Sequence, residues 1–334
     1  MKQMSRSTTL SIKPNEIVEW GKLVLSAYHR IRPLVVETPV ESIGELVPES
    51  SVRLLAKLEN LQKTGSFKLR GATNKISLLT APQRAGGVIA ASNGNHGLGV
   101  ALAAKDASVA AQVYVSAHVS SHKASRIEHY GASICRVGET PLNAELAGRL
   151  ASGQSGKVFI SPYNDVDVIA GQGTIAVELQ SQAPALDAVF VAVGGGGLIG
   201  GIGAYLKWVA PHVEVVGCWA KNSPVLYKCM EAGKIVDVPE QPTLSESTAG
   251  GLEPESVTLD LCQRVIDRSV LVSEEEILAA MCKVRDVKGW LIEGAAAVAL
   301  AAALKDIGRY QGKTVMVVIC GGNVAPEVAG RIFK

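Results

Sequence analysis

Short apolar runs alternate with helical stretches along almost the whole chain, and that rhythm admits few folds. The runs "VRLLAKLE", "GVIAAS", "SVAAQVYVS", "SICRV", "KVFISP", "AVFVAVG", "EVVGCWA" and "TVMVVICGG" read as strands. Most are near-continuous in apolar residues, as expected of strands buried on both faces. Helical patterns occupy 67–79, 96–105, 121–129, 141–151, 170–180, 198–209, 224–232, 274–287 and 292–305. Strands alternating with helices predict an α/β fold built on parallel sheet. With 334 residues, 47% of them hydrophobic and 19% charged, the chain can build a large core in one or two lobes. The segment 233–257, "GKIVDVPEQPTLSESTAGGLEPESV", has no periodicity and reads as a surface excursion or a substrate lid.

Charge and cysteine usage exclude several functions. A net charge of +2, with acids and bases interspersed, offers no basic footprint for nucleic acid. The six cysteines (Cys135, Cys218, Cys229, Cys262, Cys282 and Cys320) form no CxxC pair and have no close histidine partner. That argues against a zinc site or a disulfide framework and for a reduced, cytoplasmic setting. The first twenty residues lack the apolar region of a secretory signal, and no stretch makes a clean membrane span.

In α/β sheets ligands bind at the carboxyl ends of strands, so the loops there carry the chemistry. "VAVGGGGLIGG" places Gly194, Gly195, Gly196 and Gly197 between a strand and a helix. Four glycines leave backbone amides open to wrap a phosphate, and the helix start at Leu198 adds its positive end. Gly195, Gly197 and Gly200 also satisfy GxGxxG, but a dinucleotide site wants an acid at the end of the next strand. That strand ends in Trp219, Ala220 and Lys221, so a nicotinamide-dependent oxidoreductase is disfavoured.

"ASNGNHGLGVALAA" forms a second such turn, where Ser92, Asn93 and Asn95, with the amides around Gly94 and Gly97, make a cradle the size of a carboxylate. "VVICGGNVAPE" is a third, a buried strand ending in Cys320 and two glycines that suggest close backbone approach. In "LENLQKTGSFKLRGA", Lys68 follows Ser66 and Phe67 at a helix start, a place where an amine is desolvated and made nucleophilic. A phosphate loop, a carboxylate cradle and such a lysine together are what pyridoxal 5′-phosphate needs to act on an amino acid.

Those stretches, with "ETPVESIGEL", "VIAGQGTIAVEL" and "LIEGAAAVALAA", occur in the order found in the threonine/serine dehydratase and serine racemase family. Over roughly residues 37 to 325 the chain resembles these fold-type II pyridoxal-phosphate enzymes, whose fold is similar to that of the tryptophan synthase β chain. The resemblance implies two α/β lobes with the cofactor in the cleft. A small lobe (85–160) would be inserted in a larger one (1–84 and 161–334), and the enzyme would be a homodimer.

It implies that Lys68 forms the Schiff base with the cofactor, that Phe67 lies against the cofactor and that Asn95 bonds its 3′-oxygen. Gly194 to Leu198 would hold the phosphate, Cys320 would face the pyridine nitrogen and Glu293 would stand near the ring. Ser92, Asn93, Gly94, Asn95 and His96 would receive the substrate carboxylate. A thiol near the ring nitrogen cannot stabilise positive charge there as a carboxylate would. The weaker electron sink favours loss of a β-substituent over transamination, with Lys68 as the general base. The implied reaction is dehydration and deamination of a β-hydroxy-α-amino acid to a 2-oxo acid and ammonia.

Three departures refine this. Racemases of the family carry serine at Asn93; an amide transfers no proton at neutral pH, so racemase activity should be weak. Members with a structural divalent cation carry glutamate at Trp219 and acids near Ser223 to Val225, so no metal site is expected. Tyr163, in "SPYN", replaces a residue that is small and polar in many relatives and could adapt the pocket to a bulkier substrate such as phenylserine or hydroxyaspartate. The chain ends soon after "CGGN", so no regulatory domain is expected, and a catabolic role follows. A β-replacement enzyme and a binding protein without activity remain the other readings.

Overall fold

A computed structural model of the chain describes residues 16–324 and 329–330. Residues 1–15, 325–328 and 331–334, including the last residues of "VVICGGNVAPE", lie outside the described residues. The strands are β1 (Val40–Ser42), β2 (Arg53–Leu58), β3 (Val88–Ala91), β4 (Ala111–Val115), β5 (Ser133–Arg136), β6 (Val158–Phe159), β7 (Ala188–Ala192), β8 (Glu214–Ala220), β9 (Arg268–Val272) and β10 (Thr314–Ile319). The helices are α1 (Ile17–Ile31), α2 (Lys68–Ser77), α3 (Ala81–Gly86), α4 (Asn95–Asp106), α5 (Ser121–His129), α6 (Pro141–Ser155), α7 (Val166–Gln182), α8 (Gly197–Val209), α9 (Val225–Ala232), α10 (Val257–Val265), α11 (Glu274–Lys288) and α12 (Gly294–Lys305).

Two sheets result. One runs β1-β2-β10-β7-β8-β9, parallel except where β1 pairs antiparallel with β2; the other, wholly parallel, runs β5-β4-β3-β6. The second sheet comes entirely from the chain between α3 and α7, so it interrupts the first. All eight expected strands form. The short edge strand β1, the half-buried edge strand β9 and the helices α1, α3 and α10 were not expected. Helix α1 starts at Glu16, not at the usual small polar cap, although Trp20, Val24, Ala27 and Ile31 line one buried face.

Glycines let the central helices approach closely. A methyl group at Gly173 of α7 would stand 2.6 Å from the Gly201 carbonyl oxygen of α8, and one at Gly99 of α4 would stand 3.0 Å from the Lys68 backbone. Beneath the start of α2 lies a buried charge network. Arg70 pairs with Glu59 at 2.8 Å and with Glu178 at 2.5 Å, and Glu178 also takes Lys57 at 2.5 Å. Two cations facing two carboxylates balance, which makes this burial tolerable. The network fixes α2, and with it Lys68, to β2 and α7.

Candidate active site

Lys68 is the first residue of α2, and its helix is tied to the end of β10: the Phe67 amide donates to the Cys320 carbonyl at 3.1 Å. The half-buried Lys68 amine donates to the Pro162 carbonyl at 3.0 Å. Its Nζ lies 5.1 Å from the Phe67 ring centroid. Burial pulls its pKa down to about 8, against the opposing influence of Cys320 and Glu293. An amine so placed is partly neutral, and therefore basic and nucleophilic, near neutral pH.

The glycine loop lies between β7 and α8. Gly200 N donates to Gly196 O at 2.8 Å. This is the first bond of the helix and leaves the preceding amides without intrahelical acceptors. Gly196 has φ +86°, a conformation that favours glycine. A methyl group at Gly195 would overlap the Tyr163 ring, and one at Gly194 would come within 2.7 Å of the Thr248 carbonyl. The loop is thus a cradle of bare backbone with no room for side chains.

A polar cluster stands at the other side. Glu293 accepts from Asn95 Nδ2 at 2.9 Å on both oxygens, from Asn323 N at 2.8 Å and from Ser247 Oγ at 3.2 Å. Asn323 Nδ2 donates to Asn95 Oδ1 at 2.7 Å. Burial raises the Glu293 pKa, and these donors oppose the shift. Burial also pushes the Cys320 thiol far up, so it remains protonated.

His96 is 3% exposed. Its Nε2 lies 2.8 Å from the Ile160 carbonyl and must be the donor, since a carbonyl only accepts. Its Nδ1 then offers a lone pair that has no partner. Burial, with Lys68 nearby, lowers its pKa to about 3, so the ring is neutral. Ser66 Oγ, also buried, has no partner either.

The structure brings together Lys68, Phe67, Asn95, Glu293 and Cys320, and Tyr163 packs on the glycine loop. Asn93 instead turns to β4: its Nδ2 donates to Ser116 Oγ at 2.8 Å, and its Oδ1 accepts from Ser116 N at 2.9 Å. Ser92 Oγ accepts from Gly94 N at 3.1 Å, shaping the turn before α4. The Tyr163 hydroxyl accepts from Glu253 N at 2.8 Å. Trp219 is buried, lies along Gly217 and sits 5.7 Å from Tyr227. Among the described residues no group of three histidine, cysteine or acidic side chains is placed to hold a metal ion.

The segment 233–257 is more than a surface excursion: Ser247 bonds Glu293, Thr248 lies against Gly194, and Glu253 bonds the turn that carries Tyr163. Sequence reasoning missed these three, along with Pro162. Pro162 and Thr248 act through backbone atoms, which leave no residue signature, and "GLEPES" has no periodicity to read.

An amine near neutrality, a bare-backbone anion cradle at a helix start and unpartnered buried polar atoms fit a phosphate-bearing aldehyde cofactor. The chain matches the profile of the family described as "Pyridoxal-phosphate dependent enzyme" over residues 31–321 and belongs to it. Its cofactor is therefore pyridoxal 5′-phosphate. The chain is 36% identical to the L-threonine ammonia-lyase of Thermotoga maritima over 311 residues, covering 93% of this chain and 77% of that protein. Its fold superposes on the processed form of threonine deaminase isoform 2 from Solanum lycopersicum with TM-score 0.90 at 30% identity, covering 95% of this chain and 87% of that one. Maize serine racemase gives TM-score 0.87 at 29% identity, with 93% and 96% covered.

Proposed function

We propose that the protein is an ammonia-lyase. It removes the β-hydroxyl of an amino acid such as threonine, serine or a bulkier analogue and releases ammonia and a 2-oxo acid. The observation that carries this reading is the Lys68 amine, lowered in basicity and held on Pro162 O between the glycine loop and the Asn95–Glu293 cluster. Relatives named for threonine ammonia-lyase and deaminase activity support it.

When bound, pyridoxal phosphate supplies an aldehyde that joins amines and a conjugated ring that draws charge from the adjacent carbon. The residues of the chain would do the rest. Amides of Gly194 to Leu198, at the positive end of α8, would hold the phosphate. Phe67 and Asn95 would flank the ring, Glu293 would orient the Asn95 amide, and the neutral Cys320 thiol would bring no charge to the ring nitrogen. The turn from Ser92 to His96 would take the substrate carboxylate. Lys68 Nζ would receive the α-proton, and its lowered basicity keeps a useful fraction free to do so at neutral pH.

A small lobe of 85–160 would close on the larger lobe (1–84 and 161–334) over bound substrate. We also read the enzyme as a cytoplasmic homodimer, on its family likeness and six unpaired cysteines. Racemisation is the second reading, favoured by the likeness to serine racemase. It needs a second proton carrier, and the Asn93 amide, engaged with Ser116, supplies none.

The test is ammonia and 2-oxo acid release from the cofactor-loaded protein, given separate stereoisomers of serine, threonine, 3-hydroxyaspartate and phenylserine. Turnover of at least one is expected, with little inversion of configuration at Cα. Inversion outpacing ammonia release would assign racemisation, and no reaction with any member would reject the proposal.

A further inference from the structure

We infer that Glu253 is a positioning residue that clamps the turn 161–164 onto the cofactor site. The inference rests on the pyridoxal-phosphate reading above. Glu253 Oε1 accepts from Ser161 Oγ at 3.2 Å, and Oε2 accepts from Asn164 Nδ2 at 2.9 Å. Its own amide donates to Tyr163 Oη at 2.8 Å. Three residues of a four-residue turn therefore bond to one residue of the segment that follows α9.

The same carboxylate reaches across to the four-stranded sheet. Arg149 of α6 lies 2.6 Å from Glu253 Oε1, and its guanidinium stacks 4.4 Å from the Phe159 ring centroid. The two carboxylate oxygens thus accept from a hydroxyl and an amide while pairing electrostatically with the guanidinium. Val257 N adds a bond to Asn164 Oδ1 at 2.9 Å. Two residues beyond Glu253, Glu255 has φ +60°, a left-handed conformation that a non-glycine residue rarely adopts. Backbone strain of this kind persists where the surroundings impose it, and it clusters at functional sites.

The turn so held does two things at the site. Its Pro162 carbonyl is the acceptor for the Lys68 amine. Its Tyr163 ring covers Gly195, and the Tyr163 Cα would stand 3.0 Å from a methyl group at Gly197. Glu253 touches neither Lys68 nor the glycine loop, yet both depend on the turn that it fixes. Displacements of about 1 Å at a reacting group cost up to about a hundredfold in rate.

The experiment compares holoenzyme of the wild type, Glu253→Ala, Glu253→Gln and Tyr163→Phe. It measures thermal midpoint, the rate of pyridoxal phosphate release after dilution, and kcat and KM separately. For Glu253→Ala with an unchanged midpoint, cofactor release is expected to quicken about tenfold. Its kcat should fall about tenfold with KM moving less than about threefold. Glu253→Gln should fall between, because its amide oxygen still accepts from the turn. Release and kcat within twofold of wild type in folded Glu253→Ala would overturn the inference. If that variant does not fold, release within twofold in both Glu253→Gln and Tyr163→Phe would overturn it, and faster release in either would support it. Release needs no turnover, so this result is independent of which amino acid the enzyme consumes. A wild type that never binds the cofactor would instead defeat the functional reading.

Discussion

Lys68 joins a basic amine to an apolar, partly enclosed setting, and its pH behaviour follows from that. Its pKa in the folded chain, about 8, lies below its ordinary value of 10.5 because burial penalises the ammonium. Between those values the unfolded chain binds the extra proton more readily. The cofactor-free protein therefore gains stability as pH rises through that window and bears the full cost of a buried ammonium below about pH 8. Proton removal by the free amine should accordingly strengthen as pH rises through 8. An NMR titration of cofactor-free protein with isotope-labelled lysine side chains should show one resonance with a midpoint near 8, absent from Lys68→Ala. A lowest lysine midpoint above 10 would refute the desolvated amine.

At the scale of elements, helix-to-helix distance sets the site. The helix α8 begins at the glycine loop and α7 follows the Tyr163 turn, and the two touch through Gly173 and Gly201. A methyl group at Gly201 would overlap the Ile169 carbonyl and stand 2.6 Å from Gly173 N, both backbone atoms that cannot rotate away. Gly201→Ala is expected to destabilise the fold by about 1–3 kcal/mol through overpacking, read by denaturant unfolding. Because the added volume pushes α8 from α7, cofactor affinity should fall with it. Unchanged stability would show that the helices have slack.

Strands and glycine loops were legible at this scale because buried parallel strands are apolar runs and bare-backbone turns need glycine. Lys68 was legible because an aromatic neighbour at a helix start is a poor place for a solvated amine. Short edges such as β1, the Glu16-capped α1 and the Glu253 clamp were not, since edge strands carry weak patterns and the clamp joins residues ninety positions apart. The packing of the Tyr163 ring on the glycine loop and the bond from Glu253 N to its hydroxyl leave no pattern in the sequence, because both partners contribute backbone atoms.

For the whole molecule, the site exists only where two sheets meet. Lys68, the glycine loop, Glu293 and Cys320 come with the six-stranded sheet, while Asn95 and His96 come from the helix that follows β3. Contacts such as Asn95–Glu293 and Arg149–Glu253 cross between the two parts, so each part supplies side chains to the same region. The proposed chemistry depends first on Lys68 being the residue that carries the cofactor. The most direct measurement is borohydride reduction of the purified, cofactor-loaded protein, followed by peptide mass spectrometry. The cofactor absorbance should bleach, and the peptide containing Lys68 should carry the reduced pyridoxyl phosphate group. A holoprotein whose Lys68 peptide stays unmodified, with the group on another lysine or on none, would contradict that role.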